Sequence, residues 1–94
     1  MRAVLAHKLE LKGIGFELQH PLPVKYKGIR LDCGYRVDVL VEDKLIIELK
    51  SVERIRPIHE AQLLTYMRLA EIKIGLLINF NVMKLKDGIK RFVL

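Results

Sequence analysis

Three charged residues in the stretch RVDVLVEDKLIIELKS have the types and spacing needed to hold a metal ion and act on a phosphate. Asp38 lies in its first half, and Glu48 and Lys50 lie in its second half. Two carboxylates held close together repel unless a cation intervenes, and Mg²⁺ or Mn²⁺ commonly takes one or two carboxylates beside waters and phosphate oxygens. Such a metal activates water and neutralises phosphate charge, while a lysine orients the nucleophile or stabilises the transition state. The chemistry that suits this set is phosphodiester hydrolysis.

The three side chains share one face only in one register of a β-hairpin. Opposed residues in an antiparallel pair share a face, and successive residues alternate between faces. A three-residue loop at 42–44 opposes Asp38 to Glu48 and Arg36 to Lys50, and leaves one face entirely apolar (Val37, Val39, Val41, Leu45, Ile47 and Leu49). A two-residue loop would mix charged and apolar residues on both faces, so the hydrophobic pattern favours the longer loop. That loop usually needs a left-handed residue, often glycine, and this one has no glycine.

A second interpretation of the same charges needs no site. Charged residues make up 30% of the chain, so a Glu-x-Lys triplet also arises by chance. The charged face of the hairpin is then a solvated sheet surface with cross-strand ion pairs. The pattern alone leaves both interpretations open.

The elements around the hairpin are predicted from apolar periodicity and from turn residues. We expect a helix at 2–12 ended by Gly13, and two or three short strands within FELQHPLPVKYKGIRL. A second helix is predicted at 58–71, after Pro57. IGLLINF is predicted to be a strand buried on both faces, and KLKDGIKRFVL a turn at Asp87-Gly88 with a final strand. This order predicts an α/β fold in which a mixed central sheet is flanked by helices.

Composition limits the class of protein. Ninety-four residues with 51% hydrophobic content predict one globular domain spanning residues 1–94. The net charge of +6 favours phosphate backbones or other anionic partners, although many small basic proteins bind no nucleic acid. No apolar run is long enough to cross a membrane, and Cys33 as the only cysteine excludes an internal disulfide. We therefore expect a cytoplasmic protein without membrane contact.

The sequence resembles a known family of nucleases. An acidic residue on one strand followed by Glu48-Leu49-Lys50 on the next is similar to the PD-(D/E)XK nuclease superfamily. The wider text, from LAHKLELKGIGFELQHPLPVKYKGI through RLDCGYRVDVLVEDKLIIELKS to the C-terminus, resembles its GxxExxY branch over essentially the whole chain. The resemblance implies a restriction-endonuclease-like core and metal-dependent hydrolysis of DNA, or less favourably RNA, with Mg²⁺ or Mn²⁺ as cofactor.

The resemblance also implies roles for individual residues. Asp38, Glu48 and the Leu49 carbonyl are expected to bind metal, and Lys50 to be the catalytic lysine. Gln62 and Tyr66 resemble a Q-x-x-x-Y helix motif of related exonuclease branches, and their spacing of four places them on one helix face. We expect Gln62 to position the site or the nucleic-acid strand. The residues expected to contact nucleic acid are Arg36, Arg54, Arg56 and Tyr66. For His59, three residues before Gln62, a place on the polar side of an amphipathic helix is preferred to catalysis.

One feature of the resembling family is expected upstream of this sequence. The Gly, Glu and Tyr that name the family precede the part matched by AVLAHKLELKGI, so the resemblance predicts an N-terminally shortened member. In related nucleases a glutamate of the first helix often helps to complete the metal site. A homodimer that covers the exposed helix surface is a further expectation. The alternative function is a catalytically degenerate module that keeps the nuclease scaffold and binds nucleic acid or a protein partner.

Overall fold

The computed structural model describes residues 1–94 as two α-helices, seven β-strands and one short 3₁₀-helix at Leu85–Gly88. Neither helix is both long and apolar enough to span a membrane. The helices are α1 (Arg2–Leu11) and α2 (Pro57–Ala70), and the strands are β1 (Phe16–Pro21), β2 (Val24–Tyr26), β3 (Ile29–Leu31), β4 (Arg36–Val41), β5 (Leu45–Lys50), β6 (Ile74–Asn79) and β7 (Ile89–Val93).

Five of the strands form a mixed sheet in the order β1-β4-β5-β6-β7, and β2 and β3 form a separate hairpin. The pair β5-β6 is parallel and the other pairs of the large sheet are antiparallel. Helix α2 makes the crossover between the two parallel strands, as such a connection requires. Pro21 lies on the edge strand β1, where a missing backbone N–H costs least. The predicted mixed α/β architecture is confirmed.

Both faces of the sheet are covered by apolar side chains. On one face the sheet residues Leu40, Ile46 and Leu77 pack with Leu63 and Met67 of α2. On the opposite face Val39, Val41, Ile47 and Ile78 pack with partly buried residues of α1, Leu5 and Leu9. One face of the hairpin is apolar as predicted, apart from Val37. The other face carries Glu48 beside Leu40 and Ile46, which α2 buries. Charge is confined to the end of that face.

The β4-β5 hairpin has the predicted three-residue loop. Val41 opposes Leu45, Leu40 opposes Ile46, and Val39 opposes Ile47. Glu42 and Asp43 adopt φ of 50° and 55°, so they supply the left-handed backbone for which no glycine was present. Regular pairing ends at Val39, and the predicted opposed pairs at 36–38 do not form. Val37 packs with Leu40 beneath α2 rather than on the opposite face.

The predicted ends of the helices agree with the structure to one residue. Gly13 follows α1 with φ of 69°, and the amide of Ile14 bonds the Leu9 carbonyl at 3.0 Å, which is the bonding of a Schellman cap. Pro57 is the first residue of α2, where its missing N–H has no partner to lose. The predicted turn at Asp87-Gly88 is instead the end of the 3₁₀-helix.

Substituting Gly88 should destabilise the protein. A Cβ at this position would collide with the carbonyl oxygen of Asn79, a backbone atom that cannot move without disturbing β6. We expect Gly88→Ala to lower the free energy of unfolding by about 3 kcal/mol, at the upper end for overpacking. Gly15→Ala is the matched control, since its Cβ would meet only a flexible side chain at 4.0 Å. Urea denaturation of both variants measures the difference, and equal stabilities would contradict the expectation.

Candidate active site

The residues singled out at the hairpin meet where β4 begins and β5 ends, under the middle of α2. Asp38 lies near the start of β4, and Glu48, Leu49 and Lys50 close β5. Gln62 reaches the same place from α2. Because β5 is a central strand, these side chains project from a rigid part of the fold.

Asp38 and Glu48 are locked together through backbone amides. The Asp38 N–H donates to Glu48 Oε1 at 3.2 Å, and the Leu49 N–H donates to Asp38 Oδ2 at 2.9 Å. Gln19 Nε2 adds a long contact of 3.4 Å to Asp38 Oδ1. Where the regular β4-β5 ladder stops, the backbone N–H groups thus bond to side-chain carboxylates instead of to backbone carbonyls. The two carboxylates are adjacent and fixed.

Glu48 lies in an environment that disfavours its charge. Its residue surface is only 4% exposed. Burial and, next, the neighbouring negative charge of Asp38 raise the pKa of its carboxyl to about 7, against the lowering effects of the Asp38 N–H and the Lys50 ammonium. Glu48 is therefore close to half protonated at neutral pH, and a nearby cation would favour the ionised form.

Lys50 is held by a chain of side chains on α2. Its Nζ donates to Gln62 Oε1 at 3.0 Å, and Gln62 Nε2 donates to the Tyr66 hydroxyl at 3.1 Å. Burial raises the pKa of the Tyr66 phenol, so it stays neutral and can accept this bond. The Tyr66 ring also packs against Tyr35, with centroids 5.7 Å apart. This chain fixes the orientation of the Gln62 amide and so the place of the lysine ammonium.

An acidic residue, a Glu-Leu-Lys strand end and a Gln-x-x-x-Tyr helix thus lie together on a mixed sheet. A sequence model described as the PD-(D/E)XK nuclease superfamily matches residues 2–92. This chain belongs to the PD-(D/E)XK nuclease superfamily. Its five-stranded mixed sheet with two helices is the restriction-endonuclease-like core that the resemblance implied. Comparisons with curated proteins and with solved structures gave no match.

Nucleases of this superfamily typically use divalent metals, and the residues here fit such an ion. Asp38 and Glu48 offer hard carboxylate oxygens, the ligand type that Mg²⁺ and Mn²⁺ prefer. Only one oxygen of Glu48 accepts a backbone N–H, so the other is available as a ligand. No group of three or more His, Cys, Asp or Glu residues gathers here or elsewhere in the chain. A metal would therefore take its remaining ligands from waters, backbone or substrate.

The basic residues predicted to contact nucleic acid are not all gathered at the site. Arg36 bonds Asp32 through Nη1 at 3.2 Å and the Tyr35 carbonyl at 2.9 Å, rather than facing Lys50. Arg54 and Arg56 are exposed on the loop between β5 and α2. His59 accepts the Arg56 N–H at Nδ1 over 2.9 Å, so its ring caps the start of α2.

Asn79 is a residue at the site that sequence reasoning did not single out. It ends β6 directly beside Lys50 and is only 3% exposed. Its side-chain amide bonds both the N–H and the carbonyl of Val52, at 3.0 and 2.9 Å, and its Oδ1 also accepts the Asn81 N–H. Asn79 therefore fixes the start of the loop that carries Arg54. The available signal was a polar residue closing the apolar run IGLLIN.

Proposed function

We propose that this protein is a Mg²⁺- or Mn²⁺-dependent nuclease of the GxxExxY branch that hydrolyses phosphodiester bonds in DNA. The observation that carries the proposal is the buried Glu48 carboxyl, locked against Asp38 and placed two residues before a lysine that α2 holds in position. Burying a carboxylate beside another carboxylate is costly, and a site for a cation explains why the arrangement exists.

The first role of the site residues is to hold the metal. Asp38 and Glu48 would supply carboxylate oxygens, and the Leu49 carbonyl is an additional candidate ligand. The backbone bonds to both carboxylates fix their orientation, as outer-shell hydrogen bonds do at metal sites. When bound, the metal would lower the pKa of a coordinated water and neutralise charge on the phosphate.

The second role is to place a positive charge beside the phosphate. Lys50 projects beyond Glu48 on the same strand, and its ammonium can orient the attacking water or stabilise charge that develops on the phosphate oxygens. Gln62 positions this ammonium, and Tyr66 positions Gln62. Arg36, Arg54 and Arg56 would contribute phosphate contacts around the site, in keeping with the net charge of +6.

A second candidate function is a nucleic-acid-binding module without catalysis. It is favoured by the bonds that already occupy one oxygen of each carboxylate, Glu48 Oε1 and Asp38 Oδ2, because these bonds satisfy the pair without a metal. Under this candidate, binding is sensitive to salt and indifferent to Mg²⁺.

Cleavage assays decide between the two candidates. Supercoiled, linear duplex and single-stranded DNA, and a single-stranded RNA, are incubated with the protein in Mg²⁺, in Mn²⁺ and in EDTA. The nuclease predicts products with either metal and none in EDTA. Titration with Mn²⁺ by calorimetry provides a second measurement, in which wild type binds and Glu48→Gln does not. Absence of both cleavage and Mn²⁺ binding, with salt-sensitive DNA binding intact, would replace the nuclease by the binding module.

A further inference from the structure

A cleft of about 540 Å³ lies beside the candidate active site, between the β2-β3 hairpin and the C-terminal half of α2. Its apolar floor includes Pro21, Pro23 and Leu69, none of them buried, above the buried side chain of Val37. Lys25, Arg30 and Arg68 contribute cationic walls. The proposed chemistry makes no use of these three residues, and the sequence pattern did not single them out.

The β2-β3 hairpin is exposed on both faces, and it is the charged face that it turns to the cleft. Lys25 and Arg30 are directly opposed and share one face, and that face lines the cleft. The other face carries Tyr26, Ile29 and Leu31, which are exposed to solvent by 60%, 63% and 44%. A hairpin on a protein surface ordinarily turns its apolar face inward and its charges outward. This orientation of the hairpin places two cations at the cleft and leaves the apolar face exposed.

No acidic residue of the protein forms an ion pair with these cations. Directly opposed like charges on neighbouring strands destabilise a pair. Asp43 and Glu71 also line the cleft, but the three ion pairs of the molecule are His20–Glu17, Arg36–Asp32 and Lys90–Glu60. Lys25, Arg30 and Arg68 therefore remain free to neutralise an external anion.

The cleft is placed to receive a strand that runs past the candidate active site. Val37 in its floor is the residue before Asp38. Arg68 follows Gln62 on α2 by six residues, which is about 9 Å along a helix axis at 1.5 Å per residue. That separation corresponds to about three nucleotides of a stacked strand at 3.4 Å each.

We propose that this cleft binds the backbone and an unpaired base of a single-stranded segment of the nucleic acid, about three nucleotides from the bond at Asp38 and Glu48. Phosphates contact Lys25, Arg30 and Arg68, and a base lies on the apolar floor. Grooves for single strands combine positive charge with side chains, most often aromatic, on which bases stack. In this cleft Pro21, Pro23 and Leu69 provide that surface. The assignment rests on the proposed nucleic-acid substrate and adds to it a preference for unpaired strands.

The test compares two triple variants that remove the same net charge. Lys25→Gln, Arg30→Gln and Arg68→Gln remove the cleft cations. Lys8→Gln, Lys12→Gln and Lys27→Gln are the matched control: all three residues are exposed, none lines the cleft, and Lys27 lies at the tip of the same hairpin. Binding of a fluorescein-labelled 12-nucleotide single strand and of a 12-bp duplex is measured by anisotropy in EDTA from 50 to 300 mM salt. Thermal unfolding confirms that both triples are folded.

We expect the cleft triple to bind the single strand at least 10-fold more weakly than the control triple. Its slope of log K against log salt should be shallower by about 2, since each lost phosphate contact of a single strand removes about 0.7. Duplex binding should differ much less between the two triples. Equal losses in both triples, or a loss confined to the duplex, would overturn the assignment.

Binding in EDTA separates this inference from the proposed function. If the protein binds single strands through the cleft but cleaves nothing with any metal, the proposal for the cleft stands and the nuclease proposal is wrong. If the protein cleaves with Mg²⁺ but the two triple variants bind the single strand equally, the proposal for the cleft is wrong and the nuclease proposal stands.

Discussion

Lys50→Ala should lower metal-dependent DNA cleavage by at least about 100-fold while leaving Mn²⁺ binding intact, because one preorganised charge at the reacting phosphate is worth about that much. Asp38→Asn and Glu48→Gln should lose as much cleavage and lose Mn²⁺ binding as well, since each removes a carboxylate ligand. The contrast separates the lysine from the ligands. Initial rates on one DNA substrate in Mg²⁺, with Mn²⁺ titrations of each variant, provide the measurement.

Glu53→Gln is the matched control for this series. Glu53 is an exposed carboxylate on the loop after β5, five residues from Glu48, and it accepts no side-chain hydrogen bond. Its cleavage should stay within about 2-fold of wild type, as for a surface residue outside the reacting geometry. Equal residual cleavage in wild type and in all three site variants would show that a contaminant produced the products and would remove the assignment of these residues.

Glu48→Gln should stabilise the folded protein several times more at pH 8 than at pH 5, in metal-free buffer. The pKa of Glu48 rises from an ordinary value near 4.5 to about 7 in the folded state. Well below pH 4.5 the group is protonated in both states and contributes no difference. Between pH 4.5 and 7 the unfolded chain loses its proton first, so stability falls as pH rises. Above pH 7 the full deficit applies, about 3 kcal/mol by the linkage relation.

The neutral amide of glutamine escapes this penalty, so the variant's advantage over wild type should grow from near zero to at most about 3 kcal/mol across that interval. Urea denaturation in EDTA at pH 5 and pH 8 measures it. Glu53→Gln again serves as control, because an exposed carboxylate carries no burial penalty. An advantage of the same size at both pH values would contradict the attribution to ionisation.

At pH 8 a divalent metal should make wild type more stable than Glu48→Gln, which reverses their order in metal-free buffer. A ligand that binds only the folded state stabilises it by about 4.1 kcal/mol at one thousand times its dissociation constant, which exceeds the advantage of about 3 kcal/mol. Wild type should therefore gain stability from Mn²⁺ and Glu48→Gln should not. If both proteins respond equally, the metal binds elsewhere.

Local sequence determined much of the architecture. Period-two alternation in RVDVLVEDKLIIELKS predicted the three-residue loop and the register of its three observed pairs, because a one-residue slip would have exchanged every side chain between the faces. Gly13 and Pro57 marked helix ends to within one residue, since both act through the backbone dihedrals of their own position. The run IGLLINF identified a buried strand by its continuous apolar character.

The same reasoning predicted that Asp38, Glu48 and Lys50 lie near one another, but it did not predict the contacts between them. Alternation assumes a regular ladder, and the ladder ends at Val39. Beyond it, Asp38 and Glu48 bond each other's strand through amides, an arrangement that depends on how two chain segments separate in space. The left-handed conformation of the loop residues Glu42 and Asp43 was not predicted either, because their residue types do not indicate a positive φ.

Long-range packing decided the remainder. Whether the charged face of the hairpin meets solvent or a helix is set by the path of α2, which buries Leu40, Ile46 and Glu48 together. That burial raises the pKa of Glu48, and the same helix brings Gln62 to Lys50. The sequence by itself determined which residues could do chemistry and the strand that carries them. Only the tertiary structure decided their desolvation and their partners, because both depend on groups that are distant along the chain.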